Sequence, residues 1–240
     1  MAPKFPVAAL NPDAATAAGR TFRRFAELAL LAGAVFFFWE WRAFAPLKIL
    51  VVFFHESSHA LAAWLTGGQV TELVVNTREG GHVLAAGGNR FLTLNAGYLG
   101  SLLWGAAIYG AAVATRLDRL AMGMLAAAVA AISLLFAHGL FPNLFGIATA
   151  LGMALAARFL GQGWNDFLLR TIGLTSMLYV PYDIYSDTIA RSSQLSDARM
   201  LANEYGGATV LWGAAWLAAS LVIIGCCLVL SVKGEAGRQP

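Results

Sequence analysis

His55, Glu56 and His59 have the residue types and the spacing of a metal-dependent hydrolytic site. On a helix, residues four apart lie on one face, so both imidazoles can reach a single metal ion while Glu56 stands beside them to take a proton from water. Zinc accepts such ligands and lowers the pKa of its bound water to about 7. The pattern predicts a zinc site formed by His55 and His59, with Glu56 as the catalytic acid/base.

The surrounding sequence is that of a membrane protein. Of its 240 residues, 59% are hydrophobic and only 12% are charged, about half of the charged share that is usual in soluble domains. Several apolar runs are long enough to cross a hydrocarbon core of about 30 Å. The net charge of +3 is modest, and the basic residues form no stripe that could neutralise a row of phosphates. Nucleic acid is therefore excluded as an expected partner.

The apolar runs predict an all-α polytopic membrane protein with six or seven transmembrane helices and a short β-hairpin after the metal-binding helix. The hairpin is predicted from the Val- and Thr-rich stretch 70–77 and the Glu-Gly-Gly turn that follows it. A disordered N-terminal tail (1–24), a single membrane domain (25–232) and a C-terminal tail (233–240) are expected. The candidate spans are 25–41, 46–65, 91–114, 120–138, 141–160, 167–189 and 208–231.

The HExxH residues lie near the middle of the second candidate span. An uncompensated charge at such a position costs several kcal/mol, so ionisable groups inside a membrane normally serve a pathway or a site. This placement favours a metal site over a chance match to a short motif.

A catalytic zinc usually has three protein ligands, so one must come from another part of the chain. Asp183 is the first choice, because Pro181 two residues earlier would kink its helix and open space. Asp187, one turn further on, is the alternative, either as the ligand or as a partner that orients a histidine. Both acids could instead lie at an aqueous helix end. His82 and His138 are further candidates.

Two other polar features are predicted to be structural. Asp197, in a polar segment, is expected to cap the N-terminus of a helix. Gly97, Ser101 and Gly105 have four-residue spacing and are expected to let another helix approach closely.

Together these segments resemble the M50B-like peptidase family, relatives of the site-2 proteases. The likeness covers about residues 45–215 and rests on the HExxH motif, the following hairpin, the Asn-Ala-Gly-Tyr-Leu-Gly-Ser segment 95–101 and the late acidic segments 182–184 and 196–198.

The resemblance implies an intramembrane zinc peptidase. Its zinc ligands would be the two motif histidines and an aspartate from a later helix, which maps to Asp183, and Glu56 would match the catalytic acid/base. The hairpin would receive an unwound substrate segment, with His82, Val74 and Val75 as substrate-binding residues.

We therefore expect a zinc metalloendopeptidase of the M50/site-2 protease type that hydrolyses peptide bonds in or near transmembrane segments. Its partners would be a transmembrane protein substrate and the lipid bilayer. The alternative is a non-proteolytic metal-binding membrane protein, either a transporter or a chaperone. The protein is expected to be integral and multi-pass, and its alanine-rich composition favours a bacterial cytoplasmic membrane. The oligomeric state is left open.

Overall fold

A computed structural model of the protein describes residues 41–190 and 195–234, together with Leu30, Gly33 and Phe37. The predicted N-terminal tail lies outside the described residues, as do most of the first candidate span and most of the predicted C-terminal tail.

The described part of the chain is mostly helical and contains a small antiparallel sheet of two strands. A 3-10 turn, Arg42–Phe44, precedes the first helix, and a π-helical turn, Ser186–Ala190, follows the fifth. The helices and strands are α1 (Ala45–Leu65), β1 (Gln69–Val75), β2 (Gly81–Ala86), α2 (Arg90–Ala114), α3 (Asp118–Phe136), α4 (Leu140–Phe159), α5 (Gln162–Tyr185), α6 (Asp197–Tyr205) and α7 (Thr209–Gly234). The predicted hairpin after the HExxH helix is confirmed.

Within the described residues, four helices are long and apolar enough to cross a membrane: α2, α3, α4 and α7. The predicted number, six or seven, is not reached there. Helices α1 and α5 have 21 and 24 residues, but their sequences include charged residues such as Lys48 and Glu56 in α1 and Asp166 and Arg170 in α5. The four apolar helices make the protein an integral membrane protein.

The β-hairpin lies alongside α1. At its base, the Gly68 N–H donates to the Ala63 carbonyl oxygen at 2.8 Å. At its tip, Glu79 Oε1 lies 2.7 Å from Nζ of the buried Lys48. The helix between Lys48 and Ala63 is about 22 Å long. The hairpin therefore lies along most of α1 rather than projecting from its end.

The two edges of the hairpin differ. The strands pair in antiparallel register, with Leu73 opposite Val83 and Val74 opposite His82. On the outer edge of β1, the His138 N–H donates to the Leu73 carbonyl oxygen at 3.0 Å, and Ala137 forms a parallel bridge with Leu73. No strand in the described ranges pairs with the outer edge of β2.

Helix α2 packs closely against α5 through small residues, as its four-residue spacing predicts. A Cβ atom on Gly105 would lie 2.8 Å from the Gly173 carbonyl oxygen and 2.9 Å from the Met177 nitrogen. The buried Ser176 hydroxyl donates to the Ser101 carbonyl oxygen at 2.8 Å. The two backbones are therefore too close to admit a side chain at Gly105.

We predict that Gly105→Ala destabilises the protein by about 1–3 kcal/mol, because the added methyl group overpacks the contact between α2 and α5. Gly110→Ala is the matched control on the same helix, since a Cβ atom there would meet nothing within 4 Å. Thermal unfolding in detergent, followed by tryptophan fluorescence, should show a lower midpoint for Gly105→Ala only. Equal midpoints for the two variants would contradict this packing.

Candidate metal centre

Helix α1 presents the HExxH residues on one continuous helical segment. Pro46 lies in its first turn, where the missing N–H and fixed φ are tolerated. The helix ends at Leu65, and Gly67 then adopts a positive φ of 88° that suits glycine. His55, Glu56 and His59 all lie within these limits, and the helix matches the predicted span 46–65 closely.

Both histidines converge on one carboxylate, that of Asp197. His55 Nε2 and His59 Nε2 each lie 3.1 Å from Asp197 Oδ2, and the two nitrogens are 3.0 Å apart. Zinc bonds of about 2.0–2.1 Å in tetrahedral geometry place neighbouring ligand atoms roughly 3.3 Å apart. The observed triangle is close to this size, so these three residues could hold one metal ion.

A hydrogen bond holds the His59 ring in the tautomer that a metal requires. His59 Nδ1 lies 2.6 Å from the Thr93 carbonyl oxygen, and both residues are buried. A carbonyl oxygen can only accept, so the ring carries its proton on Nδ1. When the ring is neutral, Nε2, which faces Asp197, therefore has the lone pair that a metal ion needs; when the ring is protonated, Nε2 donates to Asp197 instead.

Asp197 reaches the histidines from the first turn of the short helix α6. Ser196 is the N-cap, and its side chain accepts from the Arg199 N–H at 3.3 Å. Asp197 itself was predicted to be the cap, which is wrong: Ser196 fulfils that role, and the Asp197 carboxylate faces the histidines.

The charge state of Asp197 suits a metal ligand. Burial alone raises the pKa of its carboxyl group, but the neighbouring charge of His59 and hydrogen bonds from both histidines outweigh burial. The pKa is therefore held well below its usual range, and the group is an anion.

Asp183 and Asp187, the predicted third ligand and its alternative, do not join this group. Both line the same cavity. Asp187 Oδ2 accepts a hydrogen bond from the Tyr98 hydroxyl, and the Tyr98 ring lies edge-on against that of His55 at a centroid distance of 4.9 Å. Asp187 is thus linked to the His55 ring through Tyr98. The acid that is grouped with the two histidines is instead Asp197 of α6.

Gly97 lies directly behind the two imidazoles. A Cβ atom at this position would lie 2.4 Å from both His55 Nε2 and His59 Nε2. The next residue on the same face of α2, Ser101, donates to the Gly97 carbonyl oxygen at 3.0 Å. The predicted small-residue face of α2 is therefore confirmed, and at Gly97 its partner is the candidate metal site itself.

Glu56 lies between α1 and the hairpin. It is 6% exposed and lines the cavity. A Cβ atom on Gly81 would lie 2.6 Å from Glu56 Cγ and 2.7 Å from its Oε1. The start of β2 therefore packs on the carboxylate and limits the positions that it can take.

The site opens into a cavity of about 520 Å³, enclosed by α1, β2, α2, α5 and α6. His82, predicted to bind substrate, lines it. Val74 and Val75 do not: they lie on β1, whose outer edge the 137–138 segment covers. The strand beside the cavity is β2. His138, a further ligand candidate, is at that covered edge and not in the metal-binding group.

Comparison with known proteins identifies the family to which the chain belongs. The model of the family described as Peptidase M50B-like matches residues 28–227, which is most of the chain and includes every residue of the site. No curated protein and no solved structure matches the chain.

We predict that Gly97→Ala prevents metal binding, because its methyl group would occupy the space beside both Nε2 atoms. Zinc content of the purified protein, measured by mass spectrometry after reconstitution, should fall to near zero. Gly110→Ala on the same helix should retain the metal. Full zinc content in Gly97→Ala would show that the ion does not lie between these rings.

Proposed function

Since the chain belongs to the M50B-like peptidase family, we propose that it is a zinc endopeptidase that cleaves peptide bonds in or near membrane-spanning segments. Membership makes it a peptidase, and its apolar helices make it a membrane protein. Beyond family membership, we propose that the metal is zinc, that cleavage occurs within the membrane and that the enzyme is of the site-2 protease type.

The observation that carries this proposal is the triangle of His55, His59 and Asp197 beside Glu56. Two imidazole nitrogens and one carboxylate oxygen are a donor set that catalytic zinc uses, with a fourth position left open. Sites with only oxygen ligands suit Mg²⁺ or Ca²⁺, whereas imidazole ligands suit zinc and transition metals such as copper, iron and nickel. The residues present therefore fit zinc.

When bound, zinc would polarise the scissile carbonyl group and lower the pKa of a water molecule to about 7. The chain's own contribution is Glu56. Its carboxylate takes a proton from the attacking water and delivers that proton to the leaving nitrogen. Its packing against Gly81 keeps the carboxylate on the cavity side of α1.

The cavity gives water and a peptide a common place to meet. Its walls carry the acids Asp183, Asp187 and Glu79 together with Arg90 and His82. Such a polar lining supports access for water, which a hydrolase inside a membrane must admit as its second substrate. An ion pathway would have a similar lining, so the test of Glu56 below also separates a peptidase from a metal transporter.

The outer edge of β2 is the proposed docking edge for substrate. A helical segment hides its peptide carbonyls in hydrogen bonds, so it must unwind before cleavage. An extended segment can add to an open strand edge through backbone hydrogen bonds. The segment containing Ala137 and His138 already covers β1, while His82 to Ala85 of β2 line the cavity. Substrate would therefore pair with β2.

We predict that Asp197→Ala abolishes zinc binding while Asp183→Ala retains about one zinc per chain. Among the residues that the structure describes, Asp197 is the acid grouped with both histidines at ligand distance. Zinc-binding isotherms of the two purified variants give the answer. Loss of zinc in Asp183→Ala with retention in Asp197→Ala would reverse the assignment of the third ligand.

We also predict that Glu56→Gln keeps zinc and loses cleavage by about 10²–10⁴-fold, the usual contribution of a general acid/base. A quenched-fluorescent peptide with a helix-breaking apolar segment, in detergent micelles, is the probe. Asp166→Asn is the matched carboxylate-to-amide control, because Asp166 is paired with Arg170 and does not line the cavity. Cleavage by Glu56→Gln at the rate of the control would refute this role.

A further inference from the structure

The third ligand is carried by a helix that depends on its neighbours for its position. Helix α6 has nine residues, and isolated helices of this length are not stable in water. The histidines, in contrast, lie on the 21-residue α1. The location of Asp197 is therefore set by the contacts that α6 makes with the rest of the protein.

Apolar contacts fix one face of α6. Ala198 and Leu201 are fully buried and belong to a cluster that includes Leu94 and Tyr98 of α2. These contacts hold α6 against the bundle, but they do not by themselves fix the rotation and register that aim Asp197 at the histidines, because apolar burial is non-directional.

A directional contact lies at the other end of α6. Arg90 Nε is 3.3 Å from each carboxylate oxygen of Glu204, and Arg90 Nη2 is 3.1 Å from Oε1. The same Nη2 lies 3.2 Å from the Met200 sulfur. The guanidinium group thus binds a carboxylate through two nitrogens, which fixes orientation as well as distance.

Helix α2 connects this ion pair to the metal site. Arg90, Thr93 and Gly97 have the i, i+3, i+7 spacing of one helical face. The Thr93 carbonyl group orients His59 and Gly97 backs both histidines. One face of α2 therefore contacts both histidines of α1. Through Arg90, the same face also contacts α6, which carries Asp197.

Directly after α6, the chain turns through two glycines with positive φ. Gly206 has a φ of 87° and Gly207 a φ of 81°. Glycine adopts such angles without steric cost, which permits the sharp turn between α6 and α7. The Trp212 indole N–H of α7 donates to the Gly206 carbonyl oxygen at 3.1 Å, so the contacts of α6 with α2 act together with this link.

We propose that Arg90 and Glu204 are positioning residues that dock α6 onto α2 and thereby keep Asp197 in the metal-ligand set. This inference rests on the zinc site proposed above. Undocking of α6 removes Asp197 from the histidines and releases the metal. The rate of metal release then follows the small population of molecules in which α6 is undocked.

The expected effects are modest for neutral substitution and larger for charge reversal. An ion pair with both side chains partly exposed, as here, corresponds to about a twofold to fivefold change in an equilibrium. Glu204→Gln should speed zinc release by that factor. Glu204→Arg and Arg90→Glu place like charges together and should speed release by about tenfold.

The experiment measures zinc release from the full-length, zinc-loaded protein in detergent, with excess EDTA as the acceptor. The double variant Arg90→Glu/Glu204→Arg restores the pair with its charges exchanged and should return release to within about twofold of the original rate. Asp166→Asn, which breaks the ion pair with Arg170 elsewhere, is the matched control and should leave release unchanged.

Gly105→Ala separates positioning from general destabilisation, because it loosens the contact between α2 and α5 without touching α6. It should release zinc at nearly the original rate. Charge-reversal variants that release zinc no faster than Asp166→Asn would overturn the inference. So would a double variant that stays fast, or a Gly105→Ala protein that is equally fast. Absence of zinc from the unsubstituted protein would instead overturn the proposed metal site.

Discussion

Two imidazole nitrogens and one carboxylate oxygen meet within 3.1 Å in the interior of this membrane protein. Gathering ionisable groups away from water is costly unless they are paired or bind a metal. The backbone of α2 accommodates and orients these side chains. Glycine at position 97 leaves room for the rings, and the Thr93 carbonyl group fixes the proton of one of them. The chain then returns after α5 so that α6 can supply the anion.

The same site explains the unusual character of the surrounding elements. Helix α1 carries buried polar residues along its length, and a hairpin lies beside it from Lys48 to Ala63. Near the middle of α1, Glu56 is covered by Gly81, the first residue of β2. An edge strand, a carboxylate and the candidate metal-binding group thereby share one cavity, and the proposed cleavage of an extended peptide would use all three.

The sequence alone predicted correctly those features that depend on the spacing of residues along one helix. The four-residue interval between His55 and His59, and the small residues that begin at Gly97, each describe one face of one helix, and a helix forms in both places. The hairpin after α1 was also predictable, because its turn residues are distinctive. These features need no knowledge of how distant segments meet.

Predictions that depended on distant contacts were less successful. Asp197 follows Ser196 at the start of a helix, a pattern that looks the same whether the acid serves a cap or a distant site. Its approach to His59 joins residues 138 positions apart. The proposal that substrate pairs with β2 rather than β1 likewise depends on Ala137 and His138, which follow α3 and cover the outer edge of β1. Helices α1 and α5 were predicted as apolar spans, although Glu56 of α1 and Asp183 of α5 line the cavity.

X-ray absorption spectroscopy at the zinc edge tests the central claim most directly. The account predicts one zinc per chain with only nitrogen and oxygen neighbours at about 2.0–2.1 Å, two of them imidazoles. Asp197→Ala should lose this signal. A sulfur neighbour at about 2.3 Å, or fewer than two imidazoles, would contradict a site formed by His55, His59 and Asp197.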